Sequence, residues 1–104
     1  MSFLSSLFGG GGGPDAAHVK QLVAGGALIL DVRTPGEFSS GHVQGAVNIP
    51  VDSLPAQLDA VGAKDRAVIV YCRSGGRSAR AASLLRQAGW REVVDVGPMT
   101  AFPQ

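Results

Sequence analysis

The chain has almost nothing with which to tie itself together covalently or hold a transition metal. It contains a single cysteine, Cys72, so no internal disulfide can form. That cysteine and two separated histidines, His18 and His42, do not make a metal-ligand set, and no metal or other cofactor is expected. Aromatic residues are only 6% of the sequence, too few to stack bases across a nucleic-acid surface. Long apolar runs are also missing. Residues 1–8 (Met-Ser-Phe-Leu-Ser-Ser-Leu-Phe) are far too short to span a bilayer, so no transmembrane segment is expected. They also lack the basic start and cleavage site of a signal peptide. A lone free thiol suits a reducing compartment, which gives the cytoplasm as the expected location. Acid is absent from one stretch: residues 72–91 hold five arginines (Arg73, Arg77, Arg80, Arg86, Arg91) and no Asp or Glu. The formal net charge of +1 therefore conceals a basic field centred on the cysteine, of the kind that draws in small anions.

What is present fits one folded domain. The chain has 104 residues, 45% hydrophobic and 16% charged, enough to bury a single core. Five glycines, Gly9 to Gly13, end a segment read as a flexible tail over residues 1–13, which leaves 14–104 as the domain. Asp15 can cap a helix from Ala16 to about Ala24, stopped by Gly25 and Gly26. Residues 28–32 read as a buried strand. Thr34, Pro35 and Glu37 form a capping box with proline at the first helical position, and Gly41 keeps that helix short. A second strand covers 46–49, closed by Pro50. Leu54, Leu58 and Val61 stand at helical spacing behind Asp52 and Ser53. Residues 67–71 form the most continuous apolar run and the expected central strand. A helix over 78–88 and a last strand over 92–96, broken by Gly97 and Pro98, complete the pattern. Alternating strands and helices predict an α/β fold: a small, mostly parallel sheet of four to five strands with helices on both faces.

Cys72 falls at the carboxyl end of the central strand, where ligands bind in such sheets. The segment Cys72-Arg73-Ser74-Gly75-Gly76-Arg77 then leads into a helix. Its backbone N–H groups can turn inward as a nest, with Gly75 and Gly76 allowing positive φ. The helix directs its positive end at the same place, and Arg73, Arg77, Ser74 and Ser78 can add donors. The same features favour thiolate over thiol, so Cys72 is the candidate nucleophile. A lone cysteine ending a strand is otherwise as readily an inert buried residue; the loop decides against that. A thiol peptidase would need a histidine base. His18 lies in an amphipathic helical pattern, and His42 is expected to bond Asp31 or a backbone group in a structural role.

The sequence around the cysteine, Tyr71-Cys72-Arg73-Ser74-Gly75-Gly76-Arg77-Ser78, resembles the active-site loop of the rhodanese-like sulfurtransferases. Residues 31–38 (Asp-Val-Arg-Thr-Pro-Gly-Glu-Phe) and 41–50 (Gly-His-Val-Gln-Gly-Ala-Val-Asn-Ile-Pro) resemble that family's first motif, and 97–102 (Gly-Pro-Met-Thr-Ala-Phe) its closing motif. The likeness runs over about residues 15–102, with Gln44 where the family usually has proline, Pro98 where it usually has a second glycine, and Phe102 in place of the common tryptophan. The resemblance implies a sulfurtransferase in which Cys72 takes a sulfane sulfur from thiosulfate or a similar small anionic donor, then passes it to cyanide, a thiol or a protein cysteine. It assigns Arg73, Ser74, Gly75, Gly76, Arg77 and Ser78 to substrate binding, and Asp31, Arg33, Glu37 and His42 to a structural polar network. Two alternatives stand beside it. One is a sulfur carrier or docking module loaded by a partner protein. The other is a cysteine-dependent phosphatase, whose related folds place five residues between Cys and Arg, one more than here.

Overall fold

The computed structural model describes residues 15–103; the tail read over 1–13 and its boundary at Pro14 lie outside the described residues. Asp15 caps helix α1 (Ala16–Ala24) by accepting the N–H of Ala17 at 3.1 Å. Strand β1 (Leu28–Asp31) is buried along its whole length. Helix α2 (Pro35–Ser39) begins with a complete capping box, the Thr34 side chain accepting from the Glu37 N–H while Glu37 returns to the Thr34 N–H. Strand β2 is only Val47–Asn48. Strand β3 (Val68–Cys72), helix α3 (Gly76–Gln87) and strand β4 (Val93–Pro98) follow, and a 3-10 turn at Met99–Ala101 closes the described chain. The four strands form one parallel sheet in the order β2-β1-β3-β4.

Beyond shifts of one residue at element ends, three features differ from the sequence reading. The segment expected as one helix behind Asp52 and Ser53 is two 3-10 turns, Leu54–Ala56 and Leu58–Val61. Gln57 between them leaves helical geometry at φ −124°, and the Ser53 side chain makes no capping bond. Leu54 and Val61 are buried all the same, because short tight turns can supply the same inward spacing. Strand β4 continues through Gly97 and Pro98 instead of breaking there. Val70 pairs with Asp95 but Tyr71 with Gly97, so Val96 is an extra residue in a bulge. Gly97 takes φ 86° and donates to the Asp95 carboxylate at 2.9 Å. Proline is tolerated at this point because β4 is an edge strand. Helix α3 starts at Gly76, two residues before the expected Ser78.

The pleat sorts the core into two layers. Leu28, Leu30, Val68, Val70 and Cys72 face α3, whose Ala81, Ala82 and Leu85 pack on them with Leu54, Val61 and Trp90. Ile29, Ile69 and Tyr71 face the other way, against Val19 of α1, Val96 and Phe102. Phe102 meets the Tyr71 ring edge-on at 6.0 Å, Pro98 is the cross-strand partner of Cys72, and Gln44 is exposed. Tyr71 and Cys72, neighbours in sequence, therefore face opposite layers at the carboxyl edge of the sheet.

Candidate active site

Cys72 ends β3 with its sulfur under the start of α3. Gly75 takes φ 108°, a conformation that costs a residue with a side chain but not glycine. That turn aims its N–H at the Cys72 Sγ at 3.0 Å, and the Ser78 N–H reaches the same sulfur at 3.3 Å. Gly76, expected to share the left-handed geometry, is instead the first residue of the helix and has no positive φ. Burial pushes the Cys72 thiol up, but hydrogen bonds from the Ser78 hydroxyl and from the N–H groups of Ser78, Gly75 and Ser74 outweigh it, and the net displacement is downward. The Ser78 hydroxyl has one proton and donates it to the Gly75 carbonyl at 3.0 Å. The N–H groups are therefore the fixed donors, and the hydroxyl serves the sulfur only by turning from that carbonyl. Cys72 exposes none of its surface.

The five arginines of the basic stretch are not equivalent. Arg77 forms a bidentate pair with Glu37, at 2.7 and 3.0 Å. Arg80 meets Asp52 at the surface, and Arg86 donates to the Val93 carbonyl. Arg73 has no acid partner among the described residues. It lines a cleft of about 380 Å³ beside the loop, together with Arg33, Glu37, Ser40, Met99 and Thr100. The positive charge that the sequence spreads over the loop thus reduces, at the cleft, chiefly to Arg73.

The polar residues expected to form one network divide into three groups. Asp31, fully buried, accepts from the Arg33 N–H at 2.9 Å, Nε at 3.1 Å and Nη2 at 2.7 Å. It also accepts from the Tyr71 hydroxyl at 2.7 Å. Arg33 Nη2 continues to the Gly41 carbonyl, and the Tyr71 oxygen accepts from the Val43 N–H at 3.0 Å. Burial, reinforced by the Asp31 hydrogen bond, pushes Tyr71 up to about 12, so its proton stays in place as a donor. Glu37 belongs elsewhere, with Arg77. His42 is exposed: its Nδ1 lies 2.8 Å from the Phe38 carbonyl and its ring stacks on Phe38 at 3.7 Å. His18 stands near Glu92 on the surface, and neither histidine is hydrogen-bonded to Cys72. Among the described residues no cluster of three His, Cys, Asp or Glu could hold a metal ion. No described helix is long and apolar enough to cross a membrane.

Sequence reasoning did not find the Tyr71 hydroxyl, the Asn48 amide that spans the Asp31 and Arg33 carbonyls, or the Glu37–Arg77 pair across forty residues. Only Tyr71 left a signal. A phenol in an otherwise apolar central strand needs a partner when buried, and the cross-strand register supplies Asp31.

The parallel α/β sheet carries one cysteine in a cup of N–H groups at the start of a helix. Residues 15–97 match the Rhodanese-like domain family, and the chain belongs to it. A protein named sulfurtransferase from Allochromatium vinosum is 38% identical over 69 residues, 66% of this chain and 64% of that relative. Thiosulfate sulfurtransferase 16, chloroplastic, from Arabidopsis thaliana is 41% identical over 87 residues, 72% of each chain. The match thus leaves more than a third of the first relative's length, though less of the second's, outside the region shared with this chain. Among solved structures, a rhodanese with anions from E. coli superposes with a TM-score of 0.68 at 34% identity, covering 72% of this chain and 89% of its own.

Proposed function

We propose that the chain is a sulfurtransferase that carries a sulfane sulfur on Cys72. The observation that carries this reading is the pair of N–H groups, from Gly75 and Ser78, fixed on the Cys72 sulfur at 3.0 and 3.3 Å. They favour the thiolate, and they are equally suited to the terminal sulfur of a persulfide, which is also anionic. The thiolate attacks the outer sulfur of thiosulfate. A new S–S bond forms, the S–S bond of thiosulfate breaks, and its electron pair leaves with sulfite. Charge balances, since a thiolate and a dianion become a persulfide anion and the sulfite dianion. A thiophilic acceptor, cyanide or a thiolate, then attacks the terminal sulfur, and the electron pair returns to Cys72.

Arg73 is the cation that meets the donor, because it lies on the cleft without an acid partner. Arg77 is already committed to Glu37. The full burial of Cys72 favours a small anionic donor over direct loading by a partner protein's persulfide. Incubation with thiosulfate adds one sulfur to Cys72, read as a mass increase that cyanide reverses and that Cys72→Ser abolishes. Loading only from a protein persulfide would move the reading to a sulfur carrier. Cys72-dependent hydrolysis of p-nitrophenyl phosphate without sulfur loading would replace it with a phosphatase.

A further inference from the structure

The chemistry above uses backbone N–H groups for the sulfur and Arg73 for the donor, and it leaves one charged pair on the loop without a task. Glu37 reaches Arg77 from a separate element, and both side chains are sheltered, 24% and 33% exposed. The carboxylate is fixed before Arg77 meets it. Its Oε1 accepts from the Thr34 N–H at 3.0 Å and the Thr34 hydroxyl at 3.1 Å, as well as from Arg77 Nη1 at 2.7 Å. Its Oε2 takes Arg77 Nη2 at 3.0 Å. A pair held bidentate on a pre-formed helix cap escapes most of the entropy cost that makes ordinary surface ion pairs weak. Arg77 precedes Ser78, whose N–H is on the sulfur, and follows Gly75 by two residues. It is also a cation at a helix N-terminus, where the backbone dipoles disfavour positive charge. Glu37 answers that charge.

We infer that Glu37 is a positioning residue that sets the reactivity of the Cys72 sulfur by holding and neutralising Arg77. The inference rests on the reading of Cys72 as the nucleophile. Arg77 stands in the chain between Gly75 and Ser78, whose N–H groups hold the sulfur, and an opposite charge close to a thiolate favours it. Glu37 opposes that influence, which leaves the hydrogen bonds from the loop and Ser78 as the main stabilisers of the thiolate. This matters to the reaction, because a thiolate stabilised too far attacks more slowly. The other charges near the sulfur are few. Arg73 adjoins Cys72 in sequence and turns to the cleft, Asp31 and Arg33 at the end of β1 are paired with each other, and Arg80 of α3 pairs with Asp52. The neighbouring end of β4 and its turn, Gly97 to Thr100, carry no charged side chain.

The test is the pH dependence of Cys72 alkylation by iodoacetamide in the full chain, which needs no sulfur transfer. Glu37→Gln keeps an oxygen for Thr34 but uncovers Arg77, so the titration midpoint falls by about one pH unit, the low end for an opposite charge close by. Arg77→Gln leaves Glu37 as an unanswered anion, and the midpoint rises by a similar amount. The double variant returns close to the wild-type value, and Glu37→Asp stays nearer wild type than Glu37→Gln. Loss of loop structure alone would move both single variants the same way. Shifts of one sign, or no shift in either, overturn the inference. If Glu37→Gln does not fold, Arg77→Gln against Arg77→Lys decides it: a rise only in Arg77→Gln supports the role, and equal values in both reject it. Failure of every donor to load Cys72 would remove the sulfurtransferase reading while leaving these titrations interpretable.

Discussion

Tyr71 and Cys72 are consecutive residues of one strand, and they end in opposite kinds of chemistry. The hydroxyl of Tyr71 enters a closed cluster in which Asp31, Arg33, Tyr71 and the loop at Gly41 and Val43 satisfy one another. The sulfur of Cys72 receives the backbone N–H groups of Gly75 and Ser78. A charged cluster whose buried groups are paired in this way holds shape, although Arg33 also borders the cleft. A cup of donors with one sulfur as acceptor retains capacity for more negative charge. Structure and reactivity are thus divided between the two faces of the same strand by the period of the pleat.

That division can be broken most forcefully at Asp31. Asp31→Ala leaves Arg33 buried without its partner and should cost about 3–5 kcal/mol, read as a fall in the urea midpoint; the alkylation midpoint of Cys72 in the folded fraction should barely move. A shift there as large as that of Glu37→Gln would mean that the two faces are coupled. Tyr71→Phe keeps the ring against Phe102 and removes the bonds to Asp31 and Val43. A loss of about 1–3 kcal/mol is expected, again without loss of sulfur loading. Arg73→Ala should do the reverse. Stability should hold, while KM for thiosulfate rises about tenfold, near 1.4 kcal/mol and the low end for a charged hydrogen bond at an exposed site. Arg86→Ala is the comparison, and equal effects would mean that the general basic field, not Arg73, meets the donor. The smallest effect is expected in acid. The hydrogen bond from Arg77, helped by Thr34, lowers Glu37 to about 2. Because the folded value is depressed, the clamp contributes fully above the ordinary carboxylate range near 4.5 and is lost as pH falls toward 2. Melting temperature should therefore fall between those limits by less in Glu37→Gln than in wild type.

The elements that carry the site were legible because their signals are local. The Thr34-x-x-Glu37 box, the apolar run ending at Cys72 and the Gly-rich turn after it each act within a few residues, and each appears where its residues place it. The segment behind Ser53 was misread because spacing alone cannot tell one helix from two tight turns that present the same three apolar residues. The bulge in β4 was missed because Gly97 and Pro98 read as a stop, whereas the edge position and the Asp95 carboxylate let the strand continue.

Cys72 as the sole thiol, its glycine-bearing loop and its place at the end of the central strand are determined by the sequence itself, since they depend on residue type and nearest neighbours along the chain. Which arginine faces the cleft depended on the tertiary structure. Five cations stand within twenty residues of one another; Glu37 and Asp52 approach from distant segments to pair Arg77 and Arg80, and of the five it is Arg73 that the fold turns onto the cleft. Charge pairing across the fold is a long-range contact, and no local pattern in the chain encodes it.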